Sequence, residues 1–303
     1  MAGSADDRCD VSVVLPVYNE AGHLGQELKR IRAALEASPY TFELIVVDDG
    51  STDGSAQELE PVEGITLIRF ASNRGTGAAR RAGTKAARGR VVVWTDVDMT
   101  YPNDDIPRLV AELEGHDQVV GARLQEKGTH KTARVAAKWS MRKLAGYLAE
   151  EPIPDLNSGF RAFRREVAAQ FLHLLPRGFS CVSTMTMAFL LNGYSVKYLP
   201  IEYGVRAGRS KFHWRRDTYR YLQQVVRLIM AWQPLRIFVP LGLALLALGT
   251  AKLGFDLIAH PFRVATNTLL ILFAALQVFV VGLLADLVVT TTKPADLIDP
   301  ARP

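Results

Sequence analysis

Cysteine is nearly absent. Cys9 and Cys181 are the only two in 303 residues, and no C-x-x-C pair occurs, so neither a disulfide framework nor a cysteine zinc site organises this chain. A reducing compartment fits that usage. The start, Met1 to Asp10, is polar and acidic, so no signal peptide is expected there. Phosphate-loop signatures are lacking too. No G-x-x-x-x-G-K-[ST] occurs, and Gly75-Thr76-Gly77 is followed next by Gly83, which breaks G-x-G-x-x-G. That stretch reads as a helix start whose small residues pack close to a sheet. Repeats and low-complexity tracts are also missing. Charge is scarce at one end only: residues 235–292 carry just Arg236, Lys252, Asp256, Arg263 and Asp286. A charged body therefore precedes an oily tail, which excludes a uniformly soluble enzyme.

The tail holds two long apolar runs. Ile237 to Ala251 is uncharged, and with Leu253 to Ile258 it reaches about bilayer length once Lys252 snorkels. Ala265 to Ala285 is a second uncharged run. The short connection between them holds His260 and Pro261, so a two-helix transmembrane hairpin is expected. The preceding stretch, 209–236, holds Arg209, Lys211, Arg215, Arg216, Arg220, Arg227 and Arg236 against Asp217 alone. Basic flanks stay on the cytoplasmic side, which would put the body and both termini there. The net charge of +5 suits an anionic membrane surface. No nucleic-acid partner is expected.

The body alternates strand and helix signals. Short apolar runs at 11–15, 43–47, 65–70, 91–95 and 118–121 read as buried strands. Segments 21–37, 52–60, 75–88 and 104–114 read as helices, the first with Leu24, Leu28, Ile31 and Leu35 on one face. Such alternation predicts an α/β, mostly parallel, doubly wound sheet, whose ligands sit at the carboxyl ends of strands. Three of those ends carry polar clusters: Pro16 to Glu20, Asp48 to Asp53, and Asp96 to Asp98.

Asp96-Val97-Asp98 is the most informative cluster. Two carboxylates two residues apart at a strand end can face one pocket. Their hard oxygens suit Mg²⁺ or Mn²⁺, which in turn hold a diphosphate. The competing reading is a pair of bare carboxylates capping a helix. In the second cluster, Ser51 or Asp49 would serve as an N-cap, or an Asp would accept a hydrogen bond from a base or ribose.

Val13-Val14-Leu15-Pro16-Val17-Tyr18-Asn19-Glu20, then Val46-Val47-Asp48-Asp49-Gly50-Ser51-Thr52-Asp53, resembles the large inverting glycosyltransferase family with the GT-A fold. Asn73-Arg74-Gly75 and Asp96-Val97-Asp98 extend the resemblance. Within that family the chain looks like the polyprenyl-phosphate glycosyltransferases, the group that includes dolichol-phosphate mannose synthase. Asp155 to Arg164 and Arg206-Ala207-Gly208-Arg209-Ser210-Lys211 carry this, and the hairpin completes it.

The resemblance implies a polar tail over 1–10, a cytoplasmic GT-A catalytic domain over 11–212, a juxtamembrane helix over 213–234, two transmembrane helices over 235–289 and a cytoplasmic tail over 290–303. It implies transfer of one sugar from a UDP- or GDP-linked donor to a polyprenyl phosphate at the inner or plasma membrane. Pro16, Tyr18, Glu20, Asp48 and Asp49 would line the nucleotide. Asp96 and Asp98 would hold a divalent ion, Mg²⁺ or Mn²⁺, against the donor diphosphate, with Arg206, Ser210 and Lys211 beside it. Some relatives carry Gln two positions after the second Asp as a further metal ligand; here that position is Thr100, a weaker one. Asp155 joins Asp96 and Asp98 as a candidate catalytic acid: it would hold an arginine in register or contact the sugar, or else cap a helix over 160–170. The family leaves monomer or tetramer open.

A lipid phosphate can attack with its own oxygen, so cations and alignment matter more than a strong base. Arg123, Arg134 and Arg161, with the Ser158 hydroxyl, are the candidates for the acceptor phosphate. If 131–148 is helical, Lys131, Arg134, Lys138 and Arg142 form one stripe suited to headgroups. Two rival functions remain. A membrane polysaccharide synthase would carry Q-x-x-R-W before its membrane helices, and none occurs. A nonenzymatic anchored scaffold would not need the Asp96/Asp98 pair.

Overall fold

The computed structural model describes residues 9–123, 150–178, 180–204, 233–260 and 263–292, with positions 146, 226 and 230. The chain divides into two compact units, Met1–Gln224 and Val225–Pro303.

The first unit is built on seven strands: β1 (Val11–Val17), β2 (Phe42–Asp48), β3 (Ile65–Arg69), β4 (Val91–Trp94), β5 (Gln118–Arg123), β6 (Arg161–Arg164) and β7 (Val196–Ile201). Their order is β3-β2-β1-β4-β6-β5-β7. All neighbours are parallel except β6, which runs antiparallel to β4 and β5. Helices α1 (Leu24–Glu36), α2 (Ser55–Leu59), α3 (Thr76–Ala86), α4 (Ile106–Ala111), α5 (Arg165–Phe171) and α6 (Cys181–Leu191) connect or follow the strands. This is the mostly parallel, doubly wound α/β arrangement that the sequence implies.

Burial on both faces explains the apolar strands. Every β1 side chain except Pro16 is buried. Val11, Val13, Leu15 and Val17 pack with Leu24, Leu28, Ile31 and Leu35 of α1 in one core cluster. Each such side chain contributes about 1.5–3 kcal/mol. Val14 points to the opposite face, where a Cβ on Gly83 of α3 would overlap it. That glycine brings α3 close to the sheet. Gly75 and Gly77 serve a different contact. A Cβ on either would overlap the backbone of Pro176 or Arg177, so this helix start packs on the 176–178 loop and not on the sheet.

Some elements differ from the sequence reading. β1 runs through Pro16 to Val17. Val17 O accepts the Asp49 N–H on the β2 side, so Pro16 faces β4, where pairing already ends at Val14–Trp94. No ladder bond is lost there. Residues 160–170 are not one helix: 161–164 form β6, and the helix starts only at Arg165. Ala162 and Phe163 are both fully buried, on opposite faces of the inserted strand. The caps expected from Ser51 or Asp49 do not form; Asp53 instead accepts from Ser55 N at 3.0 Å, at the start of α2.

The second unit is a hairpin of α7 (Leu235–Ala259) and α8 (Thr266–Thr292), both long and apolar enough to cross a bilayer. Their best windows have mean hydropathies of 1.8 and 2.6. Small residues seat the partner's bulk: a Cβ on Gly242 would lie 2.8 Å from the Phe279 ring, and one on Gly282 2.5 Å from Phe238 Cβ. Near the turn, Asp256 accepts from Lys252 Nζ at 3.0 Å, from Ala265 N at 3.2 Å and from the Thr268 hydroxyl. One carboxylate thus ties the end of α7 to the start of α8.

Candidate active site

The ends of β1, β2 and β3 are laced into one rim. Asn19 adopts φ 53°, and its N–H donates to Ser51 Oγ at 3.0 Å while its Oδ1 accepts the Thr52 N–H at 2.8 Å. Glu20 N donates to Ser55 Oγ at 2.8 Å, and Glu20 Oε2 lies 3.1 Å from His23 Nε2. Pro16 and Tyr18 are half-buried along this rim. Asp48 and Asp49 are both buried. Asp48 Oδ1 accepts the Ser51 N–H at 3.0 Å. Asp49 accepts the N–H groups of Arg74 and Gly75 at 2.7 and 2.8 Å, which hangs the loop after β3 on the end of β2. Burial pushes the Asp49 carboxyl above its ordinary range, against the pull of those two bonds. Gly50 is obligatory here. Its φ is 74°, and a Cβ would sit 2.7 Å from the Ser72 carbonyl carbon.

At the end of β4, Val97 is buried in the core while Asp96 and Asp98 flank it. Asp96 Oδ1 lies 2.7 Å from Arg80 Nη2 of α3, with the Arg80 side chain only 3% exposed and Asp96 33% exposed. Burial alone would lower the Arg80 guanidinium, but the Asp96 charge, together with Cys181 and Tyr101, raises it above its ordinary value. Arg80 also lies over the Trp94 ring, 5.5 Å from its centroid. Asp98 accepts from the Thr100 hydroxyl at 2.5 Å, across a turn in which Met99 adopts φ 62°. Thr100 therefore orients Asp98. Asn103 braces the same turn, donating to Glu27 Oε1 at 2.6 Å and to Asp96 O at 3.2 Å.

An aromatic bridge joins this turn to the end of β5. Tyr101 stacks on Phe160 at 5.7 Å, its hydroxyl accepts the Gly159 N–H at 2.7 Å, and its ring meets Tyr203 edge-on at 5.2 Å. The Arg123 guanidinium lies 5.2 Å from the Tyr203 centroid. Asp155 grips Arg123 bidentately, Nε to Oδ2 at 2.6 Å and Nη2 to Oδ1 at 2.9 Å. Burial would raise Asp155, but the Arg123 bonds and charge outweigh it and hold the carboxyl below the usual range. Of the three roles weighed for Asp155, the geometry is that of the arginine holder.

Two sequence expectations need correction. Arg161 and Ser158 are fully buried. The Arg161 guanidinium donates to Val182 O at 2.6 Å, to Thr186 Oγ1 at 2.8 Å and to Ser158 O. Ser158 Oγ accepts the Phe160 N–H at 3.3 Å. Neither is presented to an acceptor phosphate; both tie α6 to the start of β6. Burial, and then the Arg80 charge, lower Arg161 to about 10, so it stays cationic at neutral pH. Arg134, Arg206, Ser210 and Lys211 lie outside the described residues, as does most of 131–148 and 213–234. Arg80, Tyr101 and Gly159 were not singled out from sequence. The available signal was a charged residue, Arg80, on the face of α3 that also carries Gly83 and Thr84.

The paired carboxylates at this strand end offer hard oxygens. Among the described residues no group of three His, Cys, Asp or Glu converges. A divalent ion held by Asp96 and Asp98 would thus complete its shell from a bound diphosphate, which such a donor set fits.

A sheet of this order with an Asp-x-Asp turn at the end of β4 is the arrangement of a GT-A glycosyltransferase. The chain belongs to glycosyl transferase family 2, matched over residues 12–172, and residues 233–290 match the GtrB C-terminal hairpin. It is similar to undecaprenyl-phosphate 4-deoxy-4-formamido-L-arabinose transferase of Pseudomonas fluorescens, 32% identical across 90% of this chain and 80% of that protein. Dodecaprenyl-phosphate galacturonate synthase of Rhizobium johnstonii is 28% identical across 93% of this chain and 88% of its own. The Aeromonas hydrophila undecaprenyl-phosphate 4-deoxy-4-formamido-L-arabinose transferase is 35% identical, but the chain spans only 62% of its length. The fold is shared with glucosyl-3-phosphoglycerate synthase from Mycobacterium tuberculosis, solved with Mn²⁺, UDP and phosphoglyceric acid. The TM-score is 0.58 at 23% identity, over 73% of this chain and 78% of that one.

Proposed function

We propose that this glycosyltransferase moves one sugar from a nucleotide-sugar to a polyprenyl phosphate, with inversion, and releases a nucleoside diphosphate. One observation carries the reading: a family 2 domain with an Asp-x-Asp turn and a GtrB hairpin occur in one chain whose relatives are named for polyprenyl-phosphate sugars. The hairpin would anchor the chain in the membrane that holds the acceptor, with the catalytic unit on the cytoplasmic side.

Asp96 and Asp98 would hold the divalent ion, Mg²⁺ or Mn²⁺. That ion would neutralise charge on the leaving diphosphate. Arg80 holds the Asp96 carboxylate, and the Thr100 hydroxyl donates to Asp98. The rim of Pro16, Tyr18, Glu20, Asp48 and Asp49 would receive the nucleoside, with Arg206, Ser210 and Lys211 at the diphosphate. A phosphate oxygen of the acceptor attacks the anomeric carbon as the bond from that carbon to the donor diphosphate breaks. The electron pair leaves with the diphosphate, and the configuration inverts. Arg123, held by Asp155, and Arg134 would steady the attacking phosphate. In-line placement by such groups replaces a strong base.

The test is nucleoside diphosphate release from a panel of UDP- and GDP-sugars, with and without a short polyprenyl phosphate. Release that requires the lipid phosphate supports the proposal. Release that ignores it, or none from any donor, rejects it.

A further inference from the structure

Outside the donor rim, α3 carries a second concave surface. A cavity of about 550 Å³ lies between the loop after β3, the outer face of α3 and the 176–178 loop. Arg74, Arg81, Lys85 and Arg177 line it beside Phe70, and no acidic residue does. None of Pro16, Tyr18, Glu20, Asp48, Asp96 or Asp98 takes part in its walls.

The cations of this cavity differ from their chain neighbours. Arg69 pairs with Glu60 at 3.2 Å, Arg80 with Asp96 at 2.7 Å and Arg88 with Glu43 at 3.1 Å. Among the described residues the Arg74, Arg81, Lys85 and Arg177 side chains form no ion pair with a carboxylate. Arg81 and Lys85 are one helical turn apart, a like-charge spacing that disfavours the helix.

The cavity is also built from fixed parts. Arg74 is held through its own N–H on Asp49, at 2.7 Å, and its guanidinium lies 4.8 Å from the Phe70 centroid. The Arg177 carbonyl accepts the Gly77 N–H at 2.8 Å, which seats the 176–178 loop on the first turn of α3. Three separate segments thus converge four positive charges on one space. That volume falls in the range of small-ligand pockets, about 300–1,000 Å³, and exceeds what a lone phosphate needs.

We propose that this cavity is a second anion site, distinct from the donor rim, for a ligand bearing two or more phosphate charges. Its wall meets the donor rim through Arg74, whose N–H Asp49 holds, and through Phe70, whose N–H donates to Asp48 O at 2.9 Å. An occupant that draws on Arg74 therefore pulls on the same loop that the donor rim uses. The ligand chemistry has two sources, a soluble polyphosphate or an anionic lipid headgroup. The site stands whether or not polyprenyl phosphate is the acceptor.

The experiment uses the full chain in neutral detergent and buffer stripped of divalent ions. Calorimetry follows inorganic pyrophosphate in one arm and dihexanoyl phosphatidic acid in the other. Wild type is compared with Arg81→Gln/Lys85→Gln, with Lys85→Gln alone as the milder variant, and with Asp98→Asn. Binding should weaken about tenfold in the double variant, less in the single one, and persist in Asp98→Asn. It should also fall with added salt, because the site is rim-exposed. Preference for pyrophosphate identifies a soluble ligand, and preference for the phosphatidic acid a headgroup. Binding that is unchanged in the double variant, or lost in Asp98→Asn, puts the anion in the donor rim and overturns the proposal. No binding of either probe overturns it as well.

Discussion

Replacing Asp96 with alanine removes more than a candidate metal ligand. It leaves Arg80, a side chain 3% exposed, without the carboxylate 2.7 Å away. Stranding one member of a fully buried pair costs about 3–5 kcal/mol. Asp96 itself is 33% exposed, so water can reach the vacated position and the low end, about 3 kcal/mol, applies. For a unit of this size 1 kcal/mol shifts Tm by about 2–4 °C, so Asp96→Ala should melt about 6–12 °C below wild type. Arg80→Met/Asp96→Ala removes both charges and fills the space with a flexible apolar chain. It should recover at least half of that loss while staying inactive. Thermal unfolding in detergent, followed by circular dichroism, reads both. If single and double variants melt alike, or Asp96→Ala melts with wild type, Arg80 is not held by Asp96 in the way described.

Three further outcomes follow from the same geometry. Asp98→Ala should abolish turnover, and nucleoside diphosphate should then bind equally with and without divalent ion by calorimetry; retained metal-dependence of binding would exclude the assigned role. Gly159→Ala places a Cβ 2.7 Å from Arg80 Nη2 and 3.0 Å from Asp96 Oδ2, so kcat/KM should fall about tenfold; an unchanged value would show that this carboxylate tolerates displacement. Asp155 is held below its ordinary range in the fold, so its stabilisation exists above about pH 4 and disappears as pH falls through the lower folded value. The stability gap between wild type and Asp155→Asn should therefore narrow on acidification below about pH 4, and a gap independent of pH would refute the Arg123–Asp155 account.

The legible parts of this chain are those with one dominant signal. β1, β2 and β4 are nearly continuous apolar runs ending in polar clusters, and α1 shows its stripe of Leu24, Leu28, Ile31 and Leu35. The hairpin is legible because charge is missing from it. The elements not read from sequence have weaker or conflicting signals. All residues of α6 are buried, so no polar face gives a helical period. β6 is four residues long and holds two arginines, Arg161 and Arg164, which disguise a central strand. The same disguise misled the site reading. Arg161 resembled a phosphate ligand, but its partners are carbonyls and a hydroxyl drawn from α6 and from Ser158, which meet it only after folding. Arg80 was overlooked for the converse reason: its partner Asp96 is 16 residues on, and only the crossover from α3 to β4 brings the two together.

The central claim is that one sugar passes to a lipid phosphate. Mass spectrometry of the lipid fraction tests it most directly, after incubating the full chain with a nucleotide-sugar panel, divalent ion and polyprenyl phosphate. The account expects one donor to yield a product heavier by a single glycosyl unit, formed by wild type and not by Asp98→Ala. A ladder of added sugars, an unmodified lipid with every donor, or equal product from Asp98→Ala would contradict it.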